Sequence, residues 1–230
     1  MIINFRKEVN NFRADVVEHA NNAIKKAARM LPSYLQDRFF KEAYVAGGAV
    51  YSINKNGQYK DIDIFLESFS TKFAVADYFK NHVKIHEYYK RPYGKVYEGY
   101  IDGSRIFITD NAVSIDDIQI IIKDYGMPED VLSSFDYKHN MFFVQNSKVY
   151  GIVEEWHLHS NYLFFNNERP RDIVGTIIRI PKFLERGMKI EKKEVARALL
   201  SLSKVGFSEE EVEELEFIVE GFNVGDSFGS

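Results

Sequence analysis

Val45-Ala46-Gly47-Gly48-Ala49-Val50-Tyr51-Ser52, followed by Lys60-Asp61-Ile62-Asp63-Ile64-Phe65, is the stretch on which the fold turns. Ala43 to Ala46 is a short apolar run, as expected of a buried strand, and Gly47-Gly48 stops it. A short helix follows. Asp61 to Leu66 then alternates polar and apolar residues with period 2, which predicts a half-buried strand. Residues i and i+2 of a strand share a face about 7 Å apart. Asp61 and Asp63 therefore present two carboxylates side by side, while Ile62, Ile64 and Leu66 bury the other face. Such a pair can clamp two metal ions about 4 Å apart, and hard Mg²⁺ suits carboxylate and phosphate oxygens. The Gly-Gly turn lets a triphosphate approach the backbone, and the helix N-terminus behind it favours negative charge. Either motif alone is ordinary, a turn or a solvated strand face. Their order along the chain is what carries information.

Outward from this centre, Phe12, Val16, Val17, Ala20, Ile24, Ala27, Ala28 and Leu31 follow helical spacing from about Phe5 to Leu31. Pro32 ends that run, and Ser33 is placed to cap a second helix reaching about Glu42. Thr71 to Val83 reads as a helix opened by Ser70 or Thr71. Tyr97–Ile101 and Arg105–Thr109 flank Asp102-Gly103, a strong hairpin signal. Ile118–Ile122, Phe135–Val144 and Val149–Ile152 read as strands, with a short helix at Pro128–Ser134. From about Pro170 the pattern is helical. One helix spans Asp172–Arg186, kinked at Pro181 and stopped by Gly187. A second spans Glu191–Ser203, and Ser208-Glu209-Glu210-Glu211 opens a third with a capping box. Residues 225–230 read as a frayed tail. The expected architecture is α+β: a head domain at 1–168 and an all-helical segment at 169–230.

The 230 residues carry 45% hydrophobic and 28% charged side chains and no cysteine. That composition fits a globular chain and excludes disulfides, thiolate nucleophiles and cysteine zinc sites. No apolar run is long enough to span a membrane, and the first residues lack a secretory signal, so a cytoplasmic location is the default expectation. The formal charge of −4 argues against a generic nucleic-acid binder, which is usually basic. The charges are segregated, however. Residues 1–168 are near neutral, 169–204 hold ten basic and four acidic residues, and 205–230 hold eight acidic and none basic.

The glycine turn, short helix and Asp61-Ile62-Asp63 strand resemble the head of nucleotidyltransferases of the DNA polymerase beta superfamily, which includes CCA-adding enzymes and poly(A) polymerases. The resemblance covers about Ala43 to Val144. Where CCA-adding relatives carry Arg-Asp in the helix after Gly-Gly, this chain has Tyr51 and Ser52, so any role of that pair is not transferred. The resemblance implies transfer of a nucleoside monophosphate from an NTP to an acceptor hydroxyl, with release of pyrophosphate. Asp61 and Asp63 would hold two Mg²⁺ ions, for which Mn²⁺ can substitute. It also calls for a third carboxylate in an apolar-Asp-apolar run, and two candidates fit: Asp136, the favoured one, and Asp117. Pro128 to Asn140, with Phe135-Asp136-Tyr137, is similar to a stretch of phage-type nucleotidyltransferase-like proteins, which points to a virus-infected bacterial host. Gly47, Gly48 and Ser52 would cradle the β and γ phosphates. The implied acceptor is an RNA 3′ end such as that of tRNA. The alternatives are a protein or small-molecule hydroxyl, or a non-catalytic nucleic-acid- or protein-binding module of the same fold.

Arg179, Lys182 and Arg186 are spaced three and four apart, which places them on one helix face able to bind a triphosphate or an RNA backbone. The competing reading is a solvated face pairing with the acidic last helix. His157-Leu158-His159 has strand-like ligand spacing but no third ligand nearby, and His139 is either a substrate contact or a core histidine. Tyr88, Tyr89, Tyr93, Tyr97 and Tyr100 are candidates for base stacking, although cross-strand packing is the commoner use of such rings.

Overall fold

The computed structural model describes residues 6–91 and 94–220. The chain begins with β1 (Lys7–Glu8), α1 (Asp15–Arg29), α2 (Ser33–Glu42), β2 (Ala43–Ala46), α3 (Gly48–Asn56), β3 (Ile62–Leu66) and α4 (Phe69–His82). A meander follows: β4 (Lys84–Arg91), β5 (Gly94–Ile101), β6 (Ser104–Ile108), β7 (Ala112–Ile115) and β8 (Ile118–Ile121). Then come α5 (Pro128–Ser133), β9 (Phe142–Gln145), β10 (Lys148–Gly151) and β11 (Tyr162–Leu163). The last elements are α6 (Ile173–Ile178), α7 (Ile180–Glu185), β12 (Lys189–Ile190), α8 (Lys192–Val205) and α9 (Glu209–Val219). Among the described residues one mixed sheet takes the order β1-β10-β9-β2-β3-β8-β7-β6-β5-β4. Only the β3–β8 pair in it is parallel.

Alternation along β3 decides what the sheet does. Ile62, Ile64 and Leu66 join Ile106, Ile108, Val113, Ile115, Ile118 and Ile120 on one face, and this face packs on α1 and α4. The contact stripe of α1 is largely alanine (Ala20, Ala23, Ala27), which lets the helix approach the sheet closely. Burying each of these isoleucines stabilises the fold by about 1.5–3 kcal/mol. On the opposite face Tyr44, Ala46, Phe65 and Phe143 pack on Val131 and Leu132 of α5. Asp63 belongs to this second face, between Ala46 and Phe65.

Several elements depart from the sequence expectations. The first helix starts at Asp15, because Lys7–Glu8 is drawn into the sheet against β10. Ser68 caps α4 by accepting the Thr71 N–H, so that helix opens earlier than Ser70. Phe135 to Val144 is not one strand: Asp136 precedes a 3₁₀ turn at Lys138–Asn140, and pairing resumes only at Phe142. The helix expected over Asp172–Arg186 is two helices meeting at Arg179, since Pro181 has no N–H to carry the ladder across. His157 lies on a 3₁₀ turn. The capping box at Ser208 and Glu211 is formed. The frayed tail, Tyr93, the first residues of the expected N-terminal helix and the side chains of Tyr88 and Tyr89 lie outside the described residues. Parallel pairing of β11 with β12 and burial of Phe183 in the main core link segments on either side of residue 168.

Candidate active site

Gly47 ends β2 with φ 91° and ψ −151°, a conformation that side chains with a Cβ rarely adopt. The turn lets α3 start at once, at Gly48. A Cβ on Gly47 would lie 3.4 Å from the Phe135 ring and 3.8 Å from Asp63 Oδ2. The glycine turn, the carboxylate of Asp63 and an aromatic ring from the segment after α5 therefore meet at one point. Asp63 is only 7% exposed, whereas Asp61, just before β3, is half-buried. Hard divalent cations are held through one or two carboxylates completed by phosphate oxygens and water. Two aspartates beside a glycine turn fit that pattern, with nucleotide phosphates as the remaining donors. Among the described residues no group of three or more His, Asp or Glu side chains is assembled to hold a metal by itself.

The two candidates for the third carboxylate are each engaged by a cation. Asp136 Oδ2 accepts from Arg179 Nε at 2.8 Å, and Oδ1 accepts from the Tyr137 N–H at 2.9 Å. Arg179 Nη2 also donates to Asp172 Oδ2 at 3.1 Å, and Arg169 pairs with the same carboxylate. Burial opposes ionisation of Asp136, but the guanidiniums of Arg179 and Arg169 outweigh it and hold the carboxyl below its ordinary range. Asp117 lies level with Asp61, since Ile62 registers with Ile118. Its carboxylate accepts from Lys26 Nζ of α1 at 3.0 Å and from the Tyr59 hydroxyl at 3.3 Å. The residue in register with Asp63 on the neighbouring strand is Gln119, an amide.

Behind the glycine turn lies a cavity of about 520 Å³. Gly48, Ala49, Tyr51 and Ser52 of α3 form one wall, and Asp61, Lys60, Lys55 and Arg186 place charge on it. Among the described residues none of these three cations is in an ion pair. Tyr51, in place of the arginine of CCA-adding relatives, is buried. Its hydroxyl donates to the Ser160 carbonyl at 2.8 Å and its ring meets His139 edge-on at 4.7 Å. His139 and Asn140 also reach the cavity. Burial pushes the His139 imidazole down to about 4, so it is neutral at pH 7. Among the described residues His139 Nδ1 and Asn140 Oδ1 have no hydrogen-bond partner.

The structure thus brings Gly47, Gly48, Ser52, Asp61, Asp63 and Arg186 to one region and distributes the other expected residues differently. Arg179 ends α6 and is committed to Asp136 and Asp172, while Lys182 is half-buried on α7. The three basic residues therefore do not form one helix face. Sequence reasoning missed Lys55, Lys60, Gln119 and Phe135. The lysines flank the Gly-Gly helix and the Asp-x-Asp strand, so proximity to the motif was an available signal. The place of Gln119 depends on strand register and had none.

The chain has the fold of solved CCA-adding enzymes. It aligns with the Thermotoga maritima CCA-adding enzyme complexed with tRNA at 16% identity and a TM-score of 0.54, covering 96% of this chain and 52% of the enzyme. CCA-adding enzymes in complex with CTP and with ATP align at 16% and 18% identity, each with a TM-score of 0.51. This chain spans about half the length of those enzymes. No curated protein matches it. Residues 14–169 match the model of the Gad2, Gabija anti-defense 2, family, and the chain belongs to that family.

Proposed function

We propose that this chain is a nucleotidyltransferase that moves a nucleoside monophosphate from an NTP to an acceptor hydroxyl, and that this chemistry serves the anti-defence role its family description carries. The observation behind the reading is a glycine turn whose Gly47 lies against Asp63 and whose Gly48 lines a cavity bearing Asp61, Lys55, Lys60 and Arg186. Gly47 and Gly48 leave the backbone open to phosphate oxygens, Ser52 can donate to them, and the three cations offset their charge. Asp61 and Asp63 would hold Mg²⁺, which when bound neutralises charge on the phosphates. The chain's own contribution is mainly positioning, the usual logic of this class of transfer. An RNA 3′ end is the acceptor the sequence suggests, and tRNA bound to one structural neighbour supports it.

The test is pyrophosphate release from each NTP with Mg²⁺ present. Asp63→Asn and Asp61→Asn are expected to abolish release while the melting temperature stays close to wild type. Wild-type turnover in both variants would refute the assignment. A second reading, nucleotide binding without transfer, is favoured by the engagement of Asp136 and Asp117 and by the amide at Gln119. It predicts NTP affinity in the micromolar range with no pyrophosphate formed.

A further inference from the structure

The cavity behind the glycine turn has a second kind of lining besides its cations. Tyr51, Phe183 and Met188 give it ring surface and a thioether, and His139 and Asn140 of the 3₁₀ turn reach it with uncharged polar groups. These two side chains are only 2% and 6% exposed. Three rings enclose the imidazole: Tyr51 and Phe183 meet it edge-on at 4.7 and 5.1 Å, and Tyr137 stacks on it at 6.0 Å. Among the described residues four side-chain amides are buried: Asn54, Asn140, Gln145 and Asn166. Asn54 accepts from the Arg13 N–H and donates to the Leu158 carbonyl. Gln145 accepts from Arg6 and donates to Glu67, and Asn166 accepts from the Glu168 N–H and donates to the Ser133 and Phe135 carbonyls. Asn140 differs, because its Oδ1 has no partner among the described residues, and neither has His139 Nδ1. Buried polar groups are almost always paired, and an unpaired one is costly. An orphaned amide on the wall of a cavity of about 520 Å³ is therefore placed for a ligand.

We infer that Asn140 reads the base of the NTP and selects adenine, a reading that rests on the nucleotide site proposed above. Charge is the first reason. Lys55, Lys60 and Arg186 match the phosphates, whereas Asn140 and the neutral imidazole of His139 match an uncharged edge. Shape is the second: the rings of Tyr51 and Phe183 suit a flat heterocycle better than a sugar. The third is the donor–acceptor pattern. A carboxamide carries one acceptor beside one donor, so it pairs at two points with adenine, its oxygen accepting from the 6-amino group and its NH₂ donating to N7. Guanine is matched instead by cationic side chains and cytosine by carboxylates.

The experiment is calorimetric titration of the full chain, with Mg²⁺, by ATP, GTP, CTP and UTP. Two analogues are added: 7-deaza-ATP, which lacks the N7 acceptor, and purine riboside triphosphate, which lacks the 6-amino group. ATP is expected to bind at least about ten-fold tighter than the other three NTPs and than either analogue, the order of discrimination a two-point pair supplies. In Asn140→Leu, ATP and both analogues should bind within about two-fold of one another. Asn140→Asp keeps the acceptor and replaces the donor, so it should erase the cost of losing N7. Thermal melting identifies a variant that has failed to fold, and the analogue series on the wild type needs neither variant. Equal affinity for the four NTPs, preference for another base, analogues that match ATP on the wild type, or analogue losses that persist in both folded variants each overturn the inference and leave the nucleotide site standing. Failure of every NTP to bind overturns both.

Discussion

Replacing Arg179 by Met removes the cation facing Asp136 while keeping much of the side-chain volume. Asp136 is 8% exposed, so the variant leaves a buried carboxylate without its direct ion-pair partner, with the Arg169 charge alone remaining. Breaking a fully buried pair costs about 3–5 kcal/mol. Arg179 is 34% exposed at the side chain, so the figure should be discounted for solvent, to about 2–3 kcal/mol. An upper bound comes from protonation. Neutralising a carboxyl of ordinary pKa at pH 7 costs about 4 kcal/mol, and the orphaned Asp136 can always take that route. For a chain of this length 1 kcal/mol shifts Tm by about 2–4 °C, so a fall of about 4–12 °C is expected by calorimetry or near-UV dichroism. The pH dependence carries a second sign. In the wild type the Asp136 pKa is depressed, so its contribution is present above the unfolded value near 4 and is lost as pH falls below it. With Arg179 gone, only the charge of Arg169 and the Tyr137 N–H still oppose burial, so that pKa should rise and the penalty should shrink on going from pH 8 to pH 5. Asp136→Leu combined with Arg179→Met should recover much of the loss. A cost under about 1 kcal/mol with no change in pH profile would show that the pair is not structural, and would return Asp136 to the ligand role its sequence context suggested.

Three other outcomes are expected. Gly47→Ala should lower stability by about 1–3 kcal/mol through backbone strain at φ 91°, with no severe clash, since its Cβ would meet Phe135 at an ordinary 3.4 Å; urea denaturation measures this. His139 and His157 are both pushed down to about 4 by burial, so the chain should lose stability as pH drops from about 6.5 toward 4, by up to about 3 kcal/mol per ring. A His139→Leu/His157→Leu variant should show a flatter Tm–pH curve in that window. Charge reversal at the cavity, Lys60→Glu or Arg186→Glu, should weaken NTP binding at least ten-fold by calorimetric titration while leaving Tm within about 2 °C; unchanged affinity in both would place the nucleotide elsewhere.

What could be read from the sequence was local. The glycine turn, the alternating aspartates and the Asp102-Gly103 hairpin each need only neighbouring residues. The hairpin residues do take the left-handed conformation, at φ 48° and 83°. What could not be read depends on distant partners. Asp136 is read naturally as a strand residue between two aromatics, yet its environment is set by Arg179, 43 positions away. Charge order along the chain makes the acidic last helix one natural partner of the basic segment. Two of the segment's guanidiniums meet carboxylates outside that helix: Arg179 pairs with Asp136 and Asp172, and Arg197 with Glu194. Phe135 is equally opaque: nothing in its neighbours shows that its ring closes on Gly47 and Asp63.

The identity of the third carboxylate can be turned into a gain-of-function question. Gln119 is in register with Asp63 on the adjacent parallel strand, where backbones run about 4.8 Å apart, and it is half-buried on the same face. Gln119→Glu adds one charge with little change in shape. Without a cation the two carboxylates face each other across the strands, and like charges so placed destabilise by about 0.2–1 kcal/mol, more where one is as buried as Asp63. Tm should therefore fall by a few degrees in the presence of a chelator. If Asp61 and Asp63 form a cation site, the new carboxylate becomes a further ligand. Mg²⁺ at millimolar concentration should then restore Tm to or above the wild-type value, by ordinary ligand linkage. The wild type should respond less to the ion, because it offers fewer carboxylates. A Gln119→Glu chain whose Tm falls with chelator and does not respond to Mg²⁺ would refute a cation site at Asp63. It would leave that aspartate as a buried polar group of the sheet, and the nucleotide reading would then rest on the cationic cavity alone.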